Sequence, residues 1–238
     1  MEGGLMVALD MDGGDEAVLL AREISSRVAA LKVGTQLFTR HGPEIVYRIM
    51  DSGGAVFLDL KFHDIPNTVS RAVSGASAMG VSWLTIHASG GEDMIKAARD
   101  AAGDTKVLAV TVLTSLDEEA IRRIGWEGSV GEQVENLALM AREAGAHGIV
   151  CSAREVSALR AVLDDDCFLV TPGIRPAGAS TDDQARTLTP EGAVASGADY
   201  LVVGRPVVNA PDRGKAVESI LREMEIGRRA RSLLQDGA

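Results

Sequence analysis

Aromatic side chains and positive charge are both scarce in this chain of 238 residues. Aromatic residues make up 3% of the sequence, so a core must come from the aliphatic side chains that dominate its 46% of hydrophobic residues. The formal net charge of −10 argues against a nucleic acid partner, because binding to a phosphate backbone depends on clustered lysine and arginine. A small phosphorylated ligand remains compatible, since one or two cations in a pocket are enough to bind it.

Cysteine and long apolar runs are scarce as well. The two cysteines, Cys151 and Cys167, lie in short apolar segments, and their spacing fits neither a zinc site nor a disulfide framework. We expect both to be reduced thiols in the core. No segment approaches the ~18 apolar residues of a membrane helix, and the N-terminus has no basic region before an apolar one. These absences predict a soluble cytoplasmic protein with no membrane partner.

Short apolar runs suited to buried strands alternate with amphipathic stretches along the whole chain, and we count eight such pairs. The predicted strands end at Asp10, Gly34, Lys61, Ala88, Leu113, Ser152, Ile174 and Pro206. Eight strand-helix units of roughly 25 to 30 residues fit an α/β fold of the (β/α)8 or TIM barrel type. We expect one domain over residues 1–238, and a doubly wound open sheet is the alternative.

Local signals predict where several helices begin and where one long loop lies. A serine followed three residues later by glutamate has the spacing of a capping box. The pairs are Ser89 with Glu92, Ser115 with Glu118, Ser129 with Glu132, and Ser152 with Glu155. Thr189 before Pro190 predicts a further helix start, because proline suits the first helical position. The irregular stretch over residues 175–186, RPAGASTDDQAR, predicts a lid over a ligand site.

Charged residues are concentrated near the carboxyl ends of the predicted strands, which surround the active site in a barrel of this type. Asp10 ends the first strand, Lys32 lies in the second, and the third carries Asp59 and Lys61. Asp59 and Lys61 are two residues apart and should project from one face. A buried charge is costly unless it is paired, so Lys32, Asp59 and Lys61 predict an array of alternating charge. An ion-pair network with a purely structural role is the alternative.

The last strand predicts a phosphate site. Gly204 allows backbone amides to approach an anion, and Arg205 can bind it with two hydrogen bonds at the position where many barrels hold phosphate. The four histidines show no metal-ligand spacing, so we predict no metal site, and we expect His63 to be structural. No cofactor-binding fingerprint appears in the sequence, so we predict no cofactor.

These residues lie in segments that resemble the orotidine 5'-phosphate decarboxylase family, especially its shorter bacterial form. The segments are ALD at 8–10, LKVG at 31–34, DLKFHDIPNT at 59–68, VTVLTS at 110–115, TPGIRP at 171–176 and VVGRP at 202–206, with Gln184 before the last of them. The resemblance covers nearly the whole chain. Asp-x-Lys-x-x-Asp alone marks a broader superfamily, whereas DIPNT and TPGIRP together are highly specific.

The resemblance implies the decarboxylation of orotidine 5'-monophosphate to UMP, the last step of de novo pyrimidine nucleotide synthesis, without a cofactor. In that reaction Lys61 would protonate the carbanion at C6 of the pyrimidine. The resemblance also implies a homodimer, in which Asp64, Ile65 and Thr68 reach into the neighbouring subunit's site. The catalytic set would then be Lys32, Asp59 and Lys61 together with the partner's Asp64.

The resemblance further implies a set of substrate-binding residues. Asp10 and Lys32 would contact the ribose hydroxyls, and Thr114 would lie close to the nucleotide. The 5'-phosphate would be held by Arg175, Gln184, Gly204 and Arg205. From the residues alone, Thr114 could equally form a local backbone hydrogen bond, and Arg175 and Gln184 could face water.

Two other functions share part of this pattern. A 3-keto-L-gulonate-6-phosphate decarboxylase or hexulose-phosphate synthase of the same superfamily shares Asp59, Lys61 and Asp64 at this spacing but uses magnesium. A nucleotide-binding barrel without catalytic activity would retain the phosphate and ribose contacts alone. DIPNT and TPGIRP argue against the first alternative, and the intact set of charged residues argues against the second.

Overall fold

The computed structural model describes residues 3–176 and 188–236, with side chains described as far as residue 233. Most of the predicted lid over residues 175–186, including Gln184, therefore lies outside the described residues. Arg175 and Pro176 are the part of that stretch that is described.

Within the described residues, eight parallel strands form a closed barrel in which each strand pairs with its neighbours in sequence, and β8 pairs with β1. The strands are β1 Gly4–Ala8, β2 Ala30–Gly34, β3 Val56–Phe62, β4 Trp83–His87, β5 Lys106–Val110, β6 Gly148–Val150, β7 Phe168–Thr171 and β8 Tyr200–Val203. The predicted barrel is confirmed, and the open sheet is excluded. Six strands end one to three residues earlier than predicted, because residues that follow the last ladder pairs, such as Asp10, Val112 and Gly204, line the mouth of the barrel instead.

Helices follow the strands around the outside of the barrel, as the alternating pattern predicts. They are α1 Gly14–Ile24, α2 Thr35–His41, α3 Glu44–Met50, α4 Pro66–Ala78, α5 Glu92–Ala101, α6 Glu118–Arg123, α7 Val130–Glu143, α8 Val156–Val162, α9 Pro190–Ala195, α10 Arg205–Val208 and α11 Arg213–Asp236. Among residues 3–176 and 188–236, no helix combines the length and the apolar character needed to cross a bilayer.

Two of the predicted helix starts are confirmed. The Ser129 side chain accepts a hydrogen bond from the Glu132 backbone N–H, and the Glu132 carboxylate accepts one from the Ser129 N–H, which completes the capping box of α7. The Thr189 side chain accepts a hydrogen bond from the Gly192 N–H in the first turn of α9, and Pro190 is the first residue of that helix.

The other three capping boxes are wrong. Helix α5 begins after Gly91, and α6 is capped by the Asp117 carboxylate, which accepts a hydrogen bond from the Ala120 N–H. The Ser152 hydroxyl donates to the Glu155 side chain, but α8 begins only at Val156. In each case the serine lies two or three residues before the actual N-cap residue, so its hydroxyl does not cap the N–H groups of the first helical turn.

The core has an outer and an inner layer. Leu5 and Val7 of β1 point outward and belong to the large cluster between the strands and the helices, whereas Met6 and Ala8 point into the barrel. At the amino end the interior is filled by Trp83, Phe168 and Tyr200, the first residues of β4, β7 and β8. The Tyr200 ring lies edge-on to both others, with centroid distances of 5.9 Å to Trp83 and 5.5 Å to Phe168. This packing leaves the carboxyl end as the open end.

Both cysteines are free and buried, as predicted. Burial raises the pKa of the Cys167 thiol to about 11 and raises the pKa of Cys151 further still, so both remain protonated at neutral pH.

Candidate active site

A cavity of about 260 Å³ lies at the carboxyl ends of the strands. The charged residues that line it are Asp10, Lys32, Asp59, Lys61, Arg175 and Arg205. Gly204 and Thr114 also line it, so the structure brings together every described residue that the sequence assigns to the site except Asp64, Ile65 and Thr68.

The predicted alternation of charge is present in the contacts at the cavity floor. Lys32 Nζ lies 3.1 Å from Asp10 Oδ1 and 3.2 Å from Asp59 Oδ2, so it bridges two carboxylates. Lys61 Nζ lies 2.7 Å from Asp59 Oδ1. Positive and negative groups therefore alternate from Asp10 through Lys32 and Asp59 to Lys61, and we call these four residues the charged array.

Burial within the charged array is uneven. The side chains of Lys32 and Asp59 are 11% and 12% exposed, whereas those of Lys61 and Asp10 are 33% and 50% exposed. The two central groups are thus held by their partners, while the ammonium of Lys61 is the more accessible cation. A ligand in the cavity can contact Lys61 without displacing the central pair.

Both central groups of the charged array remain ionised. Burial acts to lower the pKa of Lys32, but Asp59 and Asp10 outweigh it and hold this pKa above its usual range. Burial likewise acts to raise the pKa of Asp59, but Lys32 and Lys61 outweigh it and hold this pKa below its usual range. At both positions the attraction of opposite charges shifts the pKa by more than desolvation does, and in the opposite direction.

Asp59 and Lys61 are brought together by an irregularity in the backbone of β3, and not by the regular alternation of side chains along a strand. Leu58 pairs with Leu84 and Phe62 with Ile86, so three residues of β3 lie opposite the single residue Thr85 of β4. Within the described residues, Lys61 is the only non-glycine residue with a positive φ, at 51°. The predicted proximity of Asp59 and Lys61 is correct, but it results from a bulge with left-handed backbone at Lys61.

Thr85 is a site residue that the sequence analysis missed. Its side-chain oxygen donates a hydrogen bond of 2.9 Å to Asp59 Oδ1 and accepts one of 2.9 Å from the Lys61 backbone N–H. The residue is 1% exposed and lines the cavity. A polar residue in the middle of the buried run WLTIH was the available signal, but its partners depend on the irregular pairing of β3 with β4.

His63 and His87 lie beside the charged array, with their ring centroids 5.3 Å apart. Burial lowers the pKa of His87, and the neighbouring His63 and Lys61 lower it further. The His87 ring is therefore mostly uncharged at neutral pH. In the part of the chain that the structure describes, no cluster of three or more His, Cys, Asp or Glu side chains is arranged to hold a metal ion.

Two arginines approach the cavity from the last two strand ends. Arg205 follows Gly204 directly after β8, and Arg175 follows β7 by four residues. The Arg175 backbone N–H donates to the Leu188 carbonyl at 3.0 Å, which ties the two described edges of the β7–α9 connection together. An anion in the cavity would therefore meet two guanidinium groups.

Asp64, Ile65 and Thr68 do not line the cavity of their own chain. They belong to the segment 63–68, which connects β3 to the first turn of α4 and is exposed throughout. Ile65 is 67% exposed, and the Asp64 carboxylate accepts a hydrogen bond of 2.7 Å from the Ile65 N–H. We call residues 63–68 the rim segment.

Comparison with known proteins identifies related sequences over most of this chain. The matching family model, described as the orotidine 5'-phosphate decarboxylase / HUMPS family, covers residues 3–220. An orotidine 5'-phosphate decarboxylase of Nitrosococcus oceani is 49% identical over 92% of this chain and 97% of its own length. One of Thermobifida fusca is 46% identical over 94% of this chain and 97% of its own length.

A solved structure agrees with these sequence relatives. The orotidine 5'-phosphate decarboxylase of Lactobacillus acidophilus superimposes with a TM-score of 0.83 at 37% identity, covering 94% of this chain and 99% of its own. The family model covers the strands that carry the charged array as well as Gly204 and Arg205. This chain belongs to the orotidine 5'-phosphate decarboxylase / HUMPS family.

Proposed function

We propose that this protein decarboxylates orotidine 5'-monophosphate to UMP. The observation that carries the proposal is the charged array in a cavity at the carboxyl ends of the strands, in a chain whose relatives are named for this reaction. In the proposed step the bond between C6 of the pyrimidine and the carboxylate carbon breaks, carbon dioxide leaves, and the electron pair stays on C6. The Lys61 ammonium then donates a proton to C6 and is reprotonated by water.

The charged array supplies the stabilisation that this step needs. Lys61 is held next to Asp59 by a 2.7 Å contact, so the cation is fixed before charge develops on C6. A single charge pair at about 4 Å contributes roughly 4 kcal/mol at an effective dielectric constant of ~20, which is less than enzymes commonly achieve. We therefore propose two further contributions, namely repulsion between Asp59 and the substrate carboxylate, and binding of the remote phosphate.

The remaining substrate contacts follow from the cavity lining. We propose that Arg205, Gly204 and Arg175 bind the 5'-phosphate, because all three line the side of the cavity formed by the last two strands. Asp10 and Lys32 are proposed to contact the ribose, with Thr114 near the nucleotide. Gln184 stays a predicted phosphate ligand, since it lies outside the described residues.

We also propose that the active enzyme is a homodimer in which the rim segment completes the neighbouring site. The exposure of Ile65 next to the Asp64 carboxylate supports this arrangement, since an apolar side chain on the rim of a charged cavity is suited to an interface. The partner's Asp64 would add a second carboxylate beside Lys61. A cytoplasmic location is proposed as well, because the two buried thiols are unpaired, as is usual in a reducing compartment.

The proposed reaction is tested by following orotidine 5'-monophosphate absorbance in the ultraviolet with purified protein in excess EDTA. We expect consumption of the substrate and formation of UMP at an undiminished rate, because no step of the proposed mechanism uses a metal. The magnesium-dependent alternative instead needs a metal to hold an enediolate and would stop in EDTA. Absence of turnover with and without magnesium would contradict the proposed function.

Shared active sites are tested by mixing two inactive variants, Lys61→Ala and Asp64→Ala. In a heterodimer, one site combines the intact Lys61 of one chain with the intact Asp64 of the other, and the second site carries both changes. Random assortment of equal amounts should therefore restore about a quarter of wild-type activity. The measurement is decarboxylation before and after the variants are dissociated and reassociated together. Two variants that stay inactive after verified subunit exchange would show that each chain builds its own site.

A further inference from the structure

We infer that Thr85 is a positioning residue for the proposed decarboxylation: its buried hydroxyl fixes both the carboxylate of Asp59 and the backbone of Lys61. This inference rests on the proposed function and adds a residue that contacts the catalytic pair rather than the substrate. Thr85 Oγ1 donates to Asp59 Oδ1 and accepts from the Lys61 N–H, each at 2.9 Å. One oxygen atom therefore connects the side chain of one catalytic residue to the main chain of the other.

The place of Thr85 in the barrel explains why a hydroxyl is needed there. It is the single residue of β4 between the pairs Leu58 with Leu84 and Phe62 with Ile86, where the regular ladder with β3 is interrupted. A backbone N–H in such a bulge lacks its ladder acceptor, and leaving it unpaired in a buried position is destabilising. The Thr85 oxygen replaces that acceptor for Lys61.

The backbone of Lys61 is the strained part of this arrangement. Its φ of 51° is left-handed, a conformation that is strained for any residue with a Cβ because the Cβ approaches the following carbonyl oxygen. The bond from the Lys61 N–H to Thr85 holds this conformation, and with it the starting point of the lysine side chain. Loss of that bond would let the bulge relax and move the Lys61 ammonium relative to the cavity.

The second bond of Thr85 fixes the rotation of the Asp59 carboxylate. Oδ1 receives both the Lys61 ammonium at 2.7 Å and the Thr85 hydroxyl, while Oδ2 faces Lys32 at 3.2 Å. Because the hydroxyl is neutral, it adds a directional hydrogen bond without altering the alternation of charge. The carboxylate plane is thus set by three donors from three strands.

The variants Thr85→Val and Thr85→Ser test this role. Valine has nearly the same shape but neither donates nor accepts, whereas serine keeps the hydroxyl. We expect Thr85→Val to lower kcat by about 10²-fold, the cost of a displacement of about 1 Å between reacting groups. KM should change by less than about threefold, because the phosphate and ribose contacts are untouched. Thr85→Ser should keep a kcat close to that of the wild type.

The pH profile of kcat provides a readout that a merely structural role would not move. The hydroxyl helps to keep the Asp59 carboxyl ionised, so its removal should shift the acidic limb of the profile to higher pH. The other groups that face Asp59 are Lys32 on β2, Lys61 on β3 and His87 on β4, with Asp10 behind Lys32. All four are unchanged in the variants, so the shift reports on the hydroxyl.

Thr105→Val is the matched control. Thr105 is also buried, and its hydroxyl donates a hydrogen bond of 2.9 Å to the Val81 carbonyl, but it precedes β5 at the amino end of the barrel. We expect this variant to lower the melting temperature while leaving kcat and its pH profile unchanged. Should Thr85→Val not fold, Thr85→Ala takes its place with the same expected loss of kcat.

The wild-type assay separates failure of the proposed function from failure of this inference. A wild-type protein without turnover overturns both. An active wild type combined with a folded Thr85→Val of normal kcat and unshifted pH profile overturns the positioning role alone. The same conclusion would follow if Thr85→Ser lost as much activity as Thr85→Val.

Discussion

Replacing Lys61 with alanine is expected to reduce decarboxylation by about 10⁴-fold or more while the protein remains folded. The ammonium serves twice in the proposed reaction, first as the cation beside the developing carbanion and then as the proton donor. The change leaves Asp59 with Lys32 at 3.2 Å and the Thr85 hydroxyl at 2.9 Å, so the buried carboxylate keeps two of its three partners. Alanine also has a Cβ, so the left-handed backbone gains no new conflict.

The measurements are kcat from the ultraviolet assay, UMP affinity by calorimetry and the melting temperature. Lys96→Ala is the matched control, because Lys96 is an exposed lysine on α5 whose ion pair with Glu92 lies on the helix surface. That variant should retain full activity. The Lys61→Ala variant must be purified free of the expression host's own decarboxylase. Near-normal turnover by the folded Lys61→Ala protein would contradict the proposed role of Lys61 as proton donor.

Replacing Asp59 with asparagine is expected to reduce both activity and stability. Lys32 would keep only Asp10, whose side chain is 50% exposed, and Lys61 would lose its 2.7 Å partner. Removing one member of a buried ion pair costs up to about 3–5 kcal/mol when the remaining charge is left without compensation, and here Asp10 still compensates Lys32 in part. We expect a loss toward the lower end of this range in the free energy of unfolding measured with urea at pH 7, together with loss of decarboxylation.

The stability difference between the wild type and Asp59→Asn should depend on pH. The pKa of Asp59 is lowered in the folded protein, so its stabilising contribution is present above the unfolded carboxyl pKa, near 3.9. It is lost as the pH falls through the folded value, and the two unfolding curves should converge in acid. The pKa of Lys32 is raised in the folded protein, so Lys32 affects stability at alkaline pH. Its stabilising contribution is lost as the pH rises through its folded-state pKa, which lies above the usual range of lysine.

Asp15→Asn is the control for the asparagine variant. Asp15 forms an exposed ion pair with Arg48, and such pairs contribute little to stability because water screens them. Its unfolding free energy should stay close to that of the wild type over the same pH range. A stability gap for Asp59→Asn that is small at pH 7, or that does not narrow in acid, would contradict the account of a buried, ionised carboxylate.

The barrel and three members of the charged array, Lys32, Asp59 and Lys61, could be predicted from the sequence because both follow from local rules, whereas the pairing of Asp10 with Lys32 was not predicted. Short aliphatic runs alternating with amphipathic stretches leave few folds, and charges at buried strand ends need opposite charges nearby. The strand ends were predicted less well, since apolar residues such as Val112 and Leu113 continue beyond β5 to line the cavity instead of a ladder. Hydrophobicity alone does not separate these two environments.

The details that set the catalytic geometry depend on contacts between distant segments. The bulge at Lys61 arises from the pairing of three β3 residues with one of β4, which no pattern within either strand reveals. Thr85 consequently looked like an ordinary strand residue. The rim segment was assigned to a neighbouring subunit through the family resemblance, because a single sequence carries no signal for the position of a second chain.

The aromatic packing at the amino end of the barrel determines where substrate and products can enter and leave the cavity. Trp83, Phe168 and Tyr200 fill the interior there, so the cavity at the carboxyl ends of the strands does not continue through the barrel to its amino end. In the proposed reaction, orotidine 5'-monophosphate, carbon dioxide and UMP would therefore not pass through the amino end of the barrel. We therefore expect UMP to leave the cavity on the side from which the substrate entered, before the next substrate can bind.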